Sequence, residues 1–459
     1  MTQPSKADRV LLTVIIGFFL AAGFRANGAE MKAGVALVDI TPPLGTHMWG
    51  YFDRLKGAEG VLDPLYARVL VLDDGVRRLA YIDLDLGRTF GPASLELLRR
   101  DAKKIGVDDL IVQATHTHAG PVIKDAYASG TPPWETAALV KIGQGIQQAR
   151  EHVVTVRMGV GYGESYIGYN RVRVDSSNGQ VTMIWGNASR APTWPVDPTI
   201  AILRIDREDG QPLAILVNYA AHPVTFDSGM LMFSADFPGV MCKFVEQSYS
   251  SHPLAFFMQG AAGDINVYDA GTPVSQDAVG RRDWAGEKLG KAVVDITRKI
   301  DTLSEPDQRI DFDEEQLPFS LRWDPEKFRL QTIREMGTEA FQLFAPPIEK
   351  EIQLPVNTLL INRKIAFMTM PGEPFVEFQV NWRERCPVHD CFFMGYTNGY
   401  AGYFPSIEAG VAGGYGASST STWVELGAGE QMVNHAVIEV YKMLGRLENV
   451  PNANWHSLP

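Results

Sequence analysis

Leu110-Ile111-Val112-Gln113-Ala114-Thr115-His116-Thr117-His118-Ala119-Gly120-Pro121 joins two unlike halves. Its first half is a short apolar run of the kind that forms a buried strand. Its second half is a polar loop carrying two histidines and closed by Gly-Pro. A helical pattern over 134–150 follows. Strand, functional loop and helix in that order are the unit of an α/β sheet.

The same alternation extends in both directions. Upstream, 33–40 reads as a strand stopped by Thr41-Pro42-Pro43, because proline lacks the ladder donor. Strands at 68–72 and 79–84 flank the Asp73-Asp74-Gly75 turn, and Ser94 is expected to cap a helix to about Lys104. Downstream, strands are expected at 172–174, 181–185, 200–205, 214–219 and 255–258, with helices over 238–247 and 283–299. The pattern weakens and becomes more charged over 302–355, a candidate linker or peripheral subdomain. A last strand-rich block, 357–370 and 392–395, leads into a glycine- and tyrosine-rich stretch. The strands are too irregularly spaced for a parallel barrel, so the expected fold class is α/β, a layered catalytic domain with mixed sheets and a metal site at the strand ends.

The 459 residues, 45% of them hydrophobic, have an ordinary globular composition. A net charge of −12 without any basic block excludes a nucleic-acid partner, which requires clustered Lys and Arg. Residues 1–29 differ from the rest. Lys6 and Arg9 precede an apolar run over 10–23 and the small-residue stretch Ala26-Asn27-Gly28-Ala29, as in a secretory signal. The alternative is an uncleaved amino-terminal anchor. Either places residues 30–459 outside the cytoplasm: periplasmic, extracellular or membrane-anchored. Cys386 and Cys391 have the spacing of a small disulfide loop for an oxidising compartment, and Cys242 reads as a buried free thiol.

Four segments carry chemistry. His116-Thr117-His118 would put two imidazoles on one face if the strand continued through it, and imidazole is a common zinc ligand. His222-Pro223 ends a strand with a histidine that proline restrains. Met370-Pro371-Gly372-Glu373-Pro374 places a carboxylate just after a strand, and Asn398-Gly399-Tyr400-Ala401-Gly402-Tyr403 is an aromatic turn. Taken singly, each also reads as a surface pair, a core histidine, a solvated loop acid or a packing turn.

Together, and with Val38-Asp39-Ile40-Thr41-Pro42-Pro43, Asp63 to Arg68, Ser234 to Gly239 and Gly260 to Asn266, they resemble the neutral/alkaline non-lysosomal ceramidases over about 33–430. The resemblance implies one Zn2+ held by His116, His222, Glu373 and Tyr403, with zinc-activated water cutting an amide bond. It assigns catalytic roles to His118, Arg171 and Tyr415. His118 would be an acid, base or oxyanion partner, Arg171 would lie near substrate, and Tyr415 would donate to the developing oxyanion. Asp264 is expected to orient a histidine ligand. The implied substrate is a small lipid or N-acyl amide, N-acyl sphingosine or a related N-acyl amine, with peripheral membrane contact as a further implication.

Two departures limit the likeness. Asn266 and Val267 stand where the resemblance places serine and proline, and the family's carboxy-terminal β-sandwich is expected to be missing. Both lead to the expectation that short-chain or single-chain N-acyl amines outcompete long-chain ceramide. The competing readings are another zinc hydrolase on the same scaffold, cutting an ester, lactone or peptide, and an exported binding protein without turnover.

Overall fold

The computed structural model describes residues 30–345 and 348–447. The expected leader therefore lies outside the described residues. Eight strands form the main sheet: β1 (Lys32–Asp39), β2 (Tyr66–Asp73), β3 (Arg78–Leu84), β4 (Asp109–Ala114), β5 (Val154–Glu164), β6 (Thr199–Arg207), β7 (Pro212–Tyr219) and β8 (Leu254–Gln259). Their order is β8-β7-β6-β5-β1-β2-β3-β4. The two outer pairs, β3–β4 and β7–β8, are parallel, and the pairs between them are antiparallel. A second sheet orders β9 (Ile310–Ser320), β10 (Glu351–Ile361), β11 (Ile365–Thr369) and β12 (Asp390–Met394), with β11–β12 parallel.

Alternation along the strands produces four layers. Val69, Val71 and Ile82 face α1 (Pro92–Lys104) and α2 (Pro133–Glu151), packing with Leu98, Ile142 and Ile146. On the other half of that face, Ile202, Val217 and Phe257 pack against α3 (Asp236–Gln247) and α4 (Ala278–Thr297). The opposite face sends Leu70, Leu203 and Phe256 into the gap between the sheets, where they meet Leu359, Phe367 and Phe392. The outer face of the second sheet is covered by α7 (Val376–Arg385) and α8 (Ala428–Met443) through Phe378, Trp382, Met432 and Val440. The layered α/β class with mixed sheets is the observed one.

Several local expectations are corrected. Ser94 does not cap α1. Pro92 opens the helix after Gly91, and the Ser94 hydroxyl instead donates to Glu135 at 2.7 Å. The 302–355 stretch contains β9, an eleven-residue strand integral to the second sheet. Beyond β9 it forms a helical arm, α5 (Pro325–Met336) and α6 (Thr338–Phe344). Cys386 and Cys391 are free thiols in contact, the Cys391 thiol bonding to Cys386 and lowering the latter's pKa. Cys242 is a buried free thiol, as expected. Among the described residues no helix is long and apolar enough to cross a membrane.

Candidate active site

The site lies where strands of both sheets end together. The β4 strand stops at Ala114, and two residues later His116 takes a left-handed conformation with φ of +72°. The strand does not run on through His118, so the condition for placing both imidazoles on one strand face is not met. Such a backbone is unfavourable for a non-glycine residue and persists only where its surroundings enforce it. Here the His116 N–H donates to Leu86 O at 2.9 Å. His222 follows the end of β7, and its N–H donates to Ile265 O at 2.9 Å. At the end of β8, the Gln259 amide donates to Thr115 O and Ala221 O, both at 2.9 Å. One side chain thereby ties together the residues immediately preceding the two histidines.

The ring orientations follow from their partners. His116 Nδ1 lies 2.5 Å from Gly87 O, and His222 Nδ1 lies 2.5 Å from Ala262 O. A carbonyl only accepts, so each Nδ1 carries the proton and each Nε2 presents a lone pair. These two Nε2 atoms are 3.2 Å apart. Glu373 Oε2 lies 3.0 Å from that of His222 and 3.3 Å from that of His116. Three electron-rich atoms brought this close in a buried place repel one another unless positive charge sits among them, either an added proton or a metal cation. The expected orienting role of Asp264 is corrected: its carboxylate accepts from Asn170 Nδ2 at 2.5 Å and the Val376 N–H at 2.8 Å, and touches neither ring.

His118 stands beside them. The possible ligand nitrogens of His116, His118 and His222 all lie within 4.8 Å of one another, so the three could hold a metal ion. Its Nδ1 has no hydrogen-bond partner, in contrast with the other two rings. Gly50 passes directly over this ring with φ of +110°, where a Cβ would lie 2.6 Å from it, so only glycine fits. Arg54 pins the loop by donating to His118 O and Trp49 O.

Glu373 and Tyr403 arrive as direct partners in a short parallel bridge, Glu373–Pro374 with Tyr403–Phe404. The Tyr403 hydroxyl accepts from Arg171 Nη2 at 3.0 Å, and its ring stacks along that of His222 at 6.5 Å. Arg171 also donates to Gly263 O at 2.6 Å and to Asn266 Oδ1 at 3.2 Å. Asn266 therefore reaches the site through Arg171. The Tyr415 ring is 5.5 Å from Tyr403, and the Arg171 guanidinium lies 5.3 Å from the Tyr415 ring.

Electrostatics divide the groups by charge. Burial, with Arg171 and His116 nearby, pulls the His222 imidazole down to about 4 against the pull of Glu373. Burial and the two neighbouring imidazoles hold His118 well below the ordinary histidine range, so it is neutral. Burial opposes charge on Glu373, but the His116 and His222 rings outweigh it and keep the carboxyl well below its usual value. Burial also opposes charge on Arg171, while Tyr403, Tyr415 and Glu373 sustain it. The Tyr403 phenol is pushed well above its ordinary value, chiefly by burial and then by Glu373, and keeps its proton.

All seven residues expected from the sequence are brought together here. Four further residues were missed. Tyr400 donates to Glu373 Oε1, and Tyr396 lies against the His116 ring at 4.3 Å. Gln259 ties the two histidine loops, and Trp49 meets Tyr400 edge-on at 5.4 Å. Tyr400 lay inside a segment already singled out, but spacing alone did not distinguish its phenol from that of Tyr403.

Comparison with known proteins agrees with this architecture. The solved neutral ceramidase of Pseudomonas aeruginosa superposes with a TM-score of 0.70 at 19% identity, covering 93% of this chain and 76% of that one. A second solved chain, a ceramidase complexed with C2, gives 0.70 at 18%, covering 93% and 77%. In sequence, the neutral ceramidase of Pseudomonas aeruginosa is 26% identical over 58% of this chain and 41% of its own length. That of Mycobacterium tuberculosis is 25% identical over 55% and 43%. The aligned stretches thus span about two fifths of these relatives. The family profile "Neutral/alkaline non-lysosomal ceramidase, N-terminal" matches residues 31–272, more than half of the chain, and the chain belongs to that family.

Proposed function

We propose that this chain is a zinc-dependent amidohydrolase that cleaves the amide bond of N-acyl sphingosine or a related N-acyl amine. The observation that carries the reading is the convergence of three acceptors, His116 Nε2, His222 Nε2 and Glu373 Oε2, in a buried place suited to a cation. Nitrogen and carboxylate ligands of this kind suit zinc. His116, His222 and Glu373 would hold it, with the neutral Tyr403 phenol as a weaker fourth ligand. When bound, zinc supplies water acidified to a pKa of about 7 and polarises a carbonyl.

The remaining work falls to side chains of this protein. Neutral His118, with Nδ1 unpartnered, is able to take a proton from the attacking water and return it to the leaving amine. Arg171 fixes the Tyr403 hydroxyl, leaving the phenolic hydrogen free to donate to the oxygen that gains charge. Tyr415, packed on both, is placed to add a second donor. Tyr400 holds the far oxygen of Glu373, so that Oε2 remains aimed at the imidazoles.

The experiment pairs metal analysis of the purified protein with hydrolysis of N-acyl amines, esters and lactones. One zinc per chain and amide cleavage support the proposal. Ester or lactone cleavage without amide cleavage would replace the substrate class, and absence of bound metal would leave a binding protein. Export and peripheral membrane contact remain part of this proposal, and fractionation of cells expressing the full chain tests both.

A further inference from the structure

Above the candidate metal-binding residues the site narrows to a small pocket. The space left is about 60 Å³, walled by Trp49, Phe52, Met336, Phe344, Tyr400 and Trp423 among others. Small-molecule pockets commonly span about 300–1,000 Å³. The room therefore suits the reacting amide and a short stub of acyl chain.

Two of these walls come from the helical arm. Gly337, with φ of +84°, makes the turn that separates α5 from α6, and Met336 stands immediately before it. Phe344, the last residue of α6, reaches back over the opening. Its ring meets Trp49 edge-on at 6.0 Å and Phe52 at 5.6 Å. The arm is docked by buried Phe328, Thr332 and Ala340. Two hydrogen bonds tie it to the body of the protein. Lys124 Nζ donates to Gln342 O at 2.6 Å, and the Thr420 hydroxyl donates to the Glu335 carboxylate at 2.5 Å.

We infer that the α5–α6 arm is an acyl-length filter, with Phe344 and Met336 the residues that set the length accepted. The inference rests on the N-acyl amine reading and names the substrate class within it. An acetyl or butyryl group fits beneath the Phe344 ring, and a long chain has to displace it. An aromatic lid held by edge-on contacts resists that displacement, because opening returns the Phe344, Trp49 and Phe52 surfaces to water.

The test is kcat/KM for one amine carrying acyl groups from acetyl to palmitoyl, with the zinc-loaded protein in a single detergent. Wild type is expected to prefer the short members. Phe344→Ala should shift the palmitoyl-to-butyryl ratio upward by about tenfold or more, since small volume changes in apolar pockets have effects of that size. Met336→Ala should shift it in the same direction, and Leu330→Ala, on the exposed face of α5, should leave it unchanged. A wild-type preference for palmitoyl, or an unchanged ratio in Phe344→Ala, overturns the filter while leaving amide hydrolysis intact. No hydrolysis at any length overturns the amidase reading instead. Calorimetric binding of butyrate and palmitate then judges the arm independently: equal affinities in wild type and Phe344→Ala would contradict it.

Discussion

The two sheets furnish the site in different ways. The loops of the eight-stranded sheet deliver His116 and His222 with their Nδ1 atoms fixed by backbone carbonyls, Gly87 O and Ala262 O. The loops after the four-stranded sheet deliver Glu373 and Tyr403, fixed by other side chains, Tyr400 and Arg171. A backbone holder is lost only when a substitution moves the chain, as at Gly87, where a Cβ would lie 1.9 Å from Trp49, whereas a side-chain holder is lost with its own functional group. The imidazole half thus depends on the Gln259 tie and on close-packed glycines at 50 and 87 rather than on a donor side chain aimed at each ring. The carboxylate and phenol half is where sequence variation can tune the chemistry.

The largest effect belongs to the imidazole half. His116→Ala and His222→Ala should each lose bound zinc and essentially all hydrolysis, as read by metal analysis and initial rates. Retention of both in either variant would remove that histidine from the ligand set. Glu373→Gln should keep the fold and weaken zinc affinity, because a neutral amide oxygen replaces a charged one. Competition with a chelator measures the loss.

Changes to the side-chain holders come next. Tyr400→Phe removes the donor to Glu373 and should lower metal affinity or turnover by about 10–100-fold, the usual range for a group supporting a ligand. Tyr403→Phe should reduce turnover more than zinc occupancy, and full activity would make that ring a packing group. If Tyr400→Phe matched wild type, the contrast between the two halves would fail.

A milder effect is expected at Asp264. Burial raises its carboxyl to about 7, while the unfolded value is near 4. The native state therefore favours the protonated form, and stability from this group is present at acid pH and lost as pH rises from about 4 through about 7. The slope is at most about 1.4 kcal/mol per pH unit within that window. Asp264→Asn should flatten denaturation midpoints across it, and an unchanged slope would show that the native carboxyl is ionised. Smallest of all, Asn266→Ser removes one acceptor from Arg171, which keeps Gly263 O and Tyr403. A change in kcat/KM of only a few fold is expected.

Where burial and short motifs agree, the sequence was informative. Strands β2, β3, β4, β7 and β8 are continuous apolar runs and were recognised to within a few residues. The loops that follow β4 and β7 carried their histidines in the open. In contrast, β5 is not a continuous apolar run: Val156, Met158, Val160 and Tyr162 alternate on one face, with Gly159, Gly161 and Gly163 on the other. A Cβ at these positions would lie 2.2–2.6 Å from Asp301 O, Ile300 or Ile296, so the glycines exist to admit α4 and the turn after it. Strand β9 was hidden for a different reason. Asp311, Asp313, Glu314 and Glu315 give an edge strand its charge and make it read as a linker. At the site, residue types exposed the candidate ligands but not their holders. Gly87 O and Ala262 O are backbone carbonyls, which no side-chain pattern marks, and the bond from Tyr400 to Glu373 depends on two loops meeting.

Amide hydrolysis on a metal held by His116, His222 and Glu373 is the proposal on which the other predictions depend. Its most direct measurement is zinc stoichiometry together with N-acyl amine hydrolysis in one preparation, before chelation, after chelation and after zinc is returned. One zinc per chain, loss of activity with loss of the metal, recovery on its return, and no recovery in His222→Ala are the expected results. Undiminished amide hydrolysis by metal-free protein, or zinc-restored activity in His222→Ala equal to wild type, would contradict it.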